Sequence, residues 1–261
     1  MLLVADVGNT NSTFGVYSHD SSGPVATVRT ATQHDRMPDE WYAILEPVLA
    51  MQGTSLMDVT GFVLSSVVPP VTRWLGVLAK HRLGIEPIIV SSKLDLGMPI
   101  DADHPEEVGA DRIVNSLAAL ETYGAPVIAV DFGTALNFDV VDARGHYRGG
   151  ALAPGLIIAL EAMTSRAAKL FSVDLVPPPQ AIGTNTIHAI QSGLVLGYIS
   201  LVEGMIARLA AELEGTPKVV VTGGYAELFA KNSTVIDAFD PDLTINGLRL
   251  VWERVHREKT E

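Results

Sequence analysis

Residues 1–17 read MLLVADVGNTNSTFGVY and residues 126–141 read PVIAVDFGTALNFDVV. Each stretch opens on an apolar, β-prone run, ends that run with an aspartate, adds one apolar residue and a glycine, and then resumes a β-prone run. Such spacing predicts strand, tight turn, strand. The aspartates, Asp6 and Asp131, stand 131 − 6 = 125 positions apart in a chain of 261 residues, close to half its length. Duplication is the economical account. It predicts an α/β protein of two duplicated domains with an interdomain cleft, divided as 1–124 and 125–261, with the last helix packing back on the first domain.

Outward from the first hairpin, a third strand is expected near 26–31 and a helix over 38–51, where Trp41, Leu45, Val48 and Leu49 recur at helical spacing. A strand falls within 59–68, Pro69-Pro70 opens a helix, and a short strand follows at 87–90. A helix over 105–123 is interrupted near its start by Gly109. After the second hairpin come a strand over 147–152, a helix from about 154 and a long helix over 185–213. A strand at 218–221 exits through Thr222-Gly223-Gly224 into a short helix, and a final helix spans 246–259.

A hydrophobic share of 48% against 18% charged residues suits a well-cored globular protein. Residues 125–130 form an apolar run cut short by Asp131, and no run reaches the length of a membrane span. The first residues lack the basic region and long apolar stretch of a secretory signal, so a cytoplasmic protein without a membrane partner is expected. The absence of cysteine excludes disulfides and thiolate metal sites. A net charge of −12 argues against nucleic acid as a partner. A polyanionic ligand would need local devices instead: backbone N–H groups, a divalent cation or an isolated arginine.

The hairpins offer such devices. Gly8 lets the backbone approach a phosphate, Asn9, Thr10 and Asn11 add neutral donors, and Asp6 can hold Mg²⁺ directly or through water. One copy alone reads equally as an ordinary turn. Asp131-Phe132-Gly133-Thr134 repeats the chemistry, and two such turns facing a cleft make a clamp for a triphosphate. Strand alternation puts Ala135, Asn137 and Asp139 on one face. Thr222-Gly223-Gly224 is either a glycine shelf for adenine or ribose or a plain strand–helix turn.

Five motifs occur in order: Asp6-Val7-Gly8-Asn9-Thr10, Gly109-Ala110-Asp111-Arg112, Asp131-Phe132-Gly133-Thr134-Ala135, Gly149-Gly150-Ala151-Leu152-Ala153-Pro154-Gly155 and Gly183-Thr184-Asn185-Thr186. With Gly247-Leu248-Arg249 near the end, they extend over almost the whole chain. The chain resembles the type III pantothenate kinase family of the actin-like ATPase and sugar-kinase superfamily. The resemblance implies phosphorylation of pantothenate by ATP to 4'-phosphopantothenate, the entry step to coenzyme A. It also implies two ribonuclease-H-like domains, a homodimer, Mg²⁺ and a monovalent cation, K⁺ or NH₄⁺. Carried onto matching positions, Asp6, Val7, Gly8, Asn9, Thr10, Asn11, Ser12 and Thr13 bind ATP, Thr134 contacts its phosphates and Asp131 coordinates K⁺. Gly109, Ala110, Asp111 and Arg112 line the pantothenate site with Thr186, and Asp111 is the proton acceptor.

The chemistry is compatible with these roles. A hydroxyl attacking a γ-phosphoryl group needs positioning and charge neutralisation more than deprotonation, so Asp111 would orient it and take its proton late. Arg112 offers a planar fork to a carboxylate or phosphate. Without the flanking motifs, an Asp–Arg first helical turn is the plainer reading. Asn115, one turn on, is a candidate support for Asp111. Gly193 and Gly197, four apart, suit close helix packing, either on the domain's own sheet or in a dimer.

The chain departs from the family where Leu136-Asn137 replaces a common Thr-Thr, Ala102 a frequent aromatic residue and His104 a common Asn, for which a capping role is expected. Two alternatives are a kinase of the same superfamily acting on another small hydroxyl substrate and a non-catalytic regulatory accessory factor. The motifs around Gly109 and Gly183 speak against the first, and retention of Asp6, Asp111 and Asp131 against the second.

Overall fold

The structure, a computed structural model, describes residues 1–19, 21–166 and 170–257. It forms two compact units, Met1–Glu121 together with the residues from Asp242 onward, and Thr122–Pro241. The second unit thus begins at Thr122, beside the division expected at 124/125. Tyr123 bonds Asp240 at 3.4 Å within that unit, while the C-terminal helix is given up to the first.

The first unit contains β1 (Leu2–Val7), β2 (Asn11–Tyr17), β3 (Ala26–Ala31), α1 (Pro38–Met51), β4 (Gly61–Ser66), α2 (Pro69–Leu78), β5 (Ile88–Ile89), nearly all of α3 (Ala110–Tyr123) and α8 (Leu243–Arg257). Its sheet runs β3-β2-β1-β4-β5, with β1 antiparallel to β2 and parallel to β4. β1 is central and covered on both faces, which is why it reads as a continuous apolar run. Leu3, Ala5 and Val7 point into a core with Phe14, Val16, Phe62 and Leu64, closed by Trp41, Leu45 and Leu49 of α1 and Val71, Leu75 and Leu78 of α2. The opposite face carries α8, which packs on β1, β2 and β4. Gly61 leaves room there for the Trp252 ring, and Gly247 brings α8 close to Val114 of α3.

The second unit contains β6 (Val127–Phe132), β7 (Ala135–Val141), β8 (Tyr147–Pro154), α4 (Leu156–Arg166), α5 (Thr186–Gln191), α6 (Gly197–Ala210), β9 (Lys218–Gly223), α7 (Ala226–Ala230) and β10 (Ala238–Phe239). Read from its antiparallel edge, its sheet is β8-β7-β6-β9-β10, strand for strand the order and direction of the first. Two copies of this ribonuclease-H-like sheet establish the duplication. Ile128, Val130, Phe132, Leu136, Phe138 and Val221 meet Ile199, Val202 and Ile206 of α6, and Phe132 stacks on Phe229 of α7 at 4.2 Å between ring centroids.

Some expected elements differ in detail. The helix over 105–123 is a 3₁₀ turn at Pro105–Glu107 followed by α3, because Val108 is extended ahead of Gly109. His104 makes no side-chain cap to that turn. The long helix runs over Thr186–Ala210, with a π turn at Ser192–Leu196 joining α5 to α6. Gly193 and Gly197 are exposed, and a methyl group at either would meet no other part of the described residues closer than 4.0 Å beyond its own helical turn, so they do not serve packing on their own sheet. The final helix begins at Leu243, and its expected end at 259 lies outside the described residues.

Candidate active site

In the first sheet the register lines up Arg29 (β3), Thr13 (β2), Asp6 (β1) and Ser65 (β4) across one face, the face that carries α8. The Ser65 hydroxyl donates to Asp6 Oδ1 at 3.0 Å. Burial pushes the Asp6 carboxyl up to about 7, the negative charge of Asp111 pushes the same way, and the Ser65 bond opposes both. The charge of Asp111 thus disfavours the ionised form of Asp6, a bias that a cation relieves.

The hairpin beside Asp6 is tied down from β3. Val7 pairs with Ser12, and Gly8 N–H donates to Asn11 O at 2.9 Å. The Thr32 hydroxyl donates to Gly8 O at 2.7 Å and lies 2.8 Å from Ser12 Oγ, while Thr32 N–H donates to Thr10 O at 2.9 Å. Val7 and Ser12 are buried, and the Ser12 hydroxyl is engaged inside the fold, whereas Asn9, Thr10 and Asn11 are exposed at the tip. A fixed turn with exposed polar tip residues suits contact with phosphate.

Asp111 occupies the first turn of α3, its Oδ1 accepting from Arg112 N–H at 2.9 Å. A methyl group at Gly109 would press on that oxygen at 2.5 Å, which is why the position takes glycine. Burial raises the Asp111 carboxyl, offset in part by Arg112 through its N–H and its charge. Ala110 is buried. Asn115 is buried too, and its Oδ1 accepts from Thr244 of α8 at 2.7 Å, so it ties α3 to α8.

The second hairpin is one residue tighter. Phe132 pairs with Leu136 around Gly133, Thr134 and Ala135, and Thr134 is exposed. Here the register aligns Leu152 (β8), Asn137 (β7), Asp131 (β6) and Thr222 (β9). Gly223, at φ +97°, approaches so closely that a methyl group there would lie 2.6 Å from Asp131 Oδ1. Gly155 N–H donates to Thr134 O at 3.1 Å, and a side chain at Gly155 would strike the carbonyls of Thr134 and Gly133. Gly150 lies against the Phe138 carbonyl in the same way. These close approaches account for Gly150 and Gly155, and a φ of +95° accounts for Gly149. Asp139 is buried and accepts from the Tyr147 hydroxyl at 3.0 Å.

Thr186 opens α5 in the second unit, where Asn185 caps the helix by accepting from His188 N–H at 2.9 Å. Gly183, Thr184, Asn185 and Thr186 line a pocket of about 500 Å³ whose apolar wall includes Met163 and Ile190. Among the described residues no three His, Asp or Glu side chains preform a metal cage. A divalent ion would thus rest on one or two carboxylates with water and substrate phosphate, the usual manner of Mg²⁺. Sequence reasoning did not single out Ser65, Thr32 or Thr244. The only trace of Ser65 is a polar pair, Ser65-Ser66, ending an apolar strand.

The sequence model of the type III pantothenate kinase family matches residues 2–208. The protein named type III pantothenate kinase of Thermomicrobium roseum is 50% identical over 258 residues, covering 98% of both chains. The one of Moorella thermoacetica is 46% identical over 255 residues, covering 97% of this chain and 99% of its own. Among solved structures, component A of the (R)-2-hydroxyglutaryl-CoA dehydratase of Acidaminococcus fermentans matches with a TM-score of 0.58 at 14% identity, over 100% of this chain and 99% of that one. At that identity the likeness is one of fold.

Proposed function

The chain belongs to the type III pantothenate kinase family, and from that membership we propose how its residues divide the work of phosphorylating pantothenate with ATP, the first step of coenzyme A biosynthesis. The observation that carries the assignment is the hairpin beside the buried Asp6, whose exposed polar tip is fixed by the Thr32 bonds to Gly8 and Thr10.

Gly8 and the exposed Asn9, Thr10 and Asn11 receive the phosphates of ATP, with Asp6 and Thr13 below them and Val7 and Ser12 holding the turn. Thr134 is assigned to nucleotide phosphate as well. Asp6 is the Mg²⁺ side, held directly or through water. The push of the Asp111 charge on the buried Asp6 carboxyl supports that fit. Bound there, the ion would neutralise charge on the phosphates. Asp131 is assigned to K⁺. Gly109, Ala110, Asp111 and Arg112 bind pantothenate, Arg112 presenting its fork to carboxylate or phosphate. Asp111 orients the primary hydroxyl. As the hydroxyl oxygen bonds to the γ-phosphorus and the bond to the ADP oxygen breaks, the released proton passes to Asp111.

We read the protein as a cytoplasmic homodimer. The helix over Thr186–Ala210 is long and apolar enough to cross a membrane by length and composition, yet little of it is buried within its own chain. Its exposed Gly193 and Gly197, with Leu152, Ile157, Ile158 and Ile182 exposed elsewhere in the unit, suit a second copy. On this reading Thr186 of the partner subunit completes the pantothenate site.

A coupled ADP-release assay tests the function. ADP should appear only with pantothenate, at adequate Mg²⁺, and more slowly when Na⁺ replaces K⁺. No pantothenate-dependent turnover under those conditions would overturn it. Retention of Asp6, Asp111 and Asp131 supports the enzymatic reading over a non-catalytic accessory role.

A further inference from the structure

We propose that Asn137 supplies an oxygen ligand, through Oδ1, to the monovalent cation assigned to Asp131, and that it sets the affinity of that site; this rests on the K⁺ assignment above. Asn137 stands opposite Asp131 in the antiparallel register of β6 and β7, on the same sheet face. Side chains so paired have Cβ atoms about 4.5–5.5 Å apart. The Asn137 side chain is 9% exposed, and its Oδ1 has no hydrogen-bond partner among the described residues. A buried polar oxygen left unmatched destabilises the fold, and asparagine is itself disfavoured in strands. Something that binds at this position is the natural partner for the oxygen.

The chemistry of the two sheets indicates what that partner is. In the first sheet the place opposite the aspartate on the antiparallel neighbour is held by Thr13, whose hydroxyl can donate, whereas in the second it is held by Asn137. An amide oxygen cannot donate. Oδ1 of Asn137 therefore adds an acceptor beside Asp131, and a cation is the partner that suits it. Gly223 keeps a side chain away from the carboxylate, since a methyl group there would lie 2.6 Å from Asp131 Oδ1 and close the space. One carboxylate with a neutral carbonyl-type oxygen matches a single positive charge, and neutral carbonyl oxygens are the ligands that replace the hydration shell of K⁺. The nearest further carboxylate on this face of β7, Asp139, accepts from the Tyr147 hydroxyl at 3.0 Å.

The test is thermal unfolding of the full chain with Mg²⁺ and a non-hydrolysable ATP analogue, titrated with KCl at constant ionic strength. The variants are Asn137→Leu, Asn137→Ser and Asp131→Asn. In the wild type Tm should rise with K⁺. Asn137→Leu should need about tenfold or more K⁺ for the half-maximal rise, yet match or exceed the wild-type Tm without K⁺, because the unmatched oxygen is gone. Wild-type K⁺ titration in Asn137→Leu, alongside a lost response in Asp131→Asn, would overturn the role of Asn137 and leave the K⁺ assignment standing. No response in the wild type would overturn both. Should Asn137→Leu lack a cooperative transition, Asn137→Ser decides by the same criterion.

Discussion

Asp6 is a carboxylate that its own fold tends to keep protonated. Its folded value near 7 lies above the ordinary 3.8, so its protonated form stabilises the fold. That contribution is full below 3.8 and is lost as pH rises through 7. Asp6→Asn should therefore gain in Tm on the wild type as pH climbs across that window without Mg²⁺, and added Mg²⁺ should narrow the gap. A pH-independent difference would count against the burial of charge at Asp6. Asp111→Asn removes the proton acceptor but leaves the neutral form that burial favours. We expect kcat to fall roughly 10²–10⁴-fold with Tm unchanged or raised, measured by ADP release and thermal unfolding. A fall in both would point to a structural role for Asp111. The three aspartates were legible in the sequence because each stands out from apolar or glycine-rich surroundings. Ser65, Thr32 and Thr244 were not, since their bonds reach partners 59, 24 and 129 positions away and exist only once strands and helices are in register.

At the scale of elements, the Asp6 hairpin is as rigid as its tether. Thr32→Val deletes the bond to Gly8 O and the contact with Ser12. It should destabilise the protein by about 1–3 kcal/mol and raise the KM for ATP more than it lowers kcat, since the turn would be loosened while Asp111 stays in place. Steady-state kinetics at varied ATP distinguishes this from a general loss of fold, which would leave the KM of the surviving enzyme unchanged. Most strands and helices were readable from periodicity and from Pro or Gly punctuation, α1 at Pro38–Met51 and β7 at Ala135–Val141 among them. What escaped was local geometry without a compositional mark. The π turn inside Thr186–Ala210 keeps helical periodicity to the eye. The two-residue strand Ala238–Phe239 is too short to show alternation and forms by pairing with β9.

For the whole molecule, the duplication was legible because an aspartate and a glycine recur at one offset. The last helix was expected to return to the first domain, but its seat on β1, β2 and β4 was not legible, since it depends on packing partners at the other end of the sequence. If two protomers share each pantothenate site, Asp111→Ala and Thr186→Ala homodimers should each be nearly inactive. Mixing them after mild dissociation should restore up to about one quarter of wild-type activity by random pairing, from one intact site in half of the dimers. No recovery, with exchange verified by mass, would place each site within one protomer. The seat of α8 also bears on how the protein is made. β1 is translated well ahead of α8, yet α8 covers the face of β1 that includes Val4 and Asp6. The second unit is translated whole while that face still waits for its cover. The first unit can therefore close its sheet only after the second has been translated, and until then it exposes apolar surface of the kind that invites aggregation.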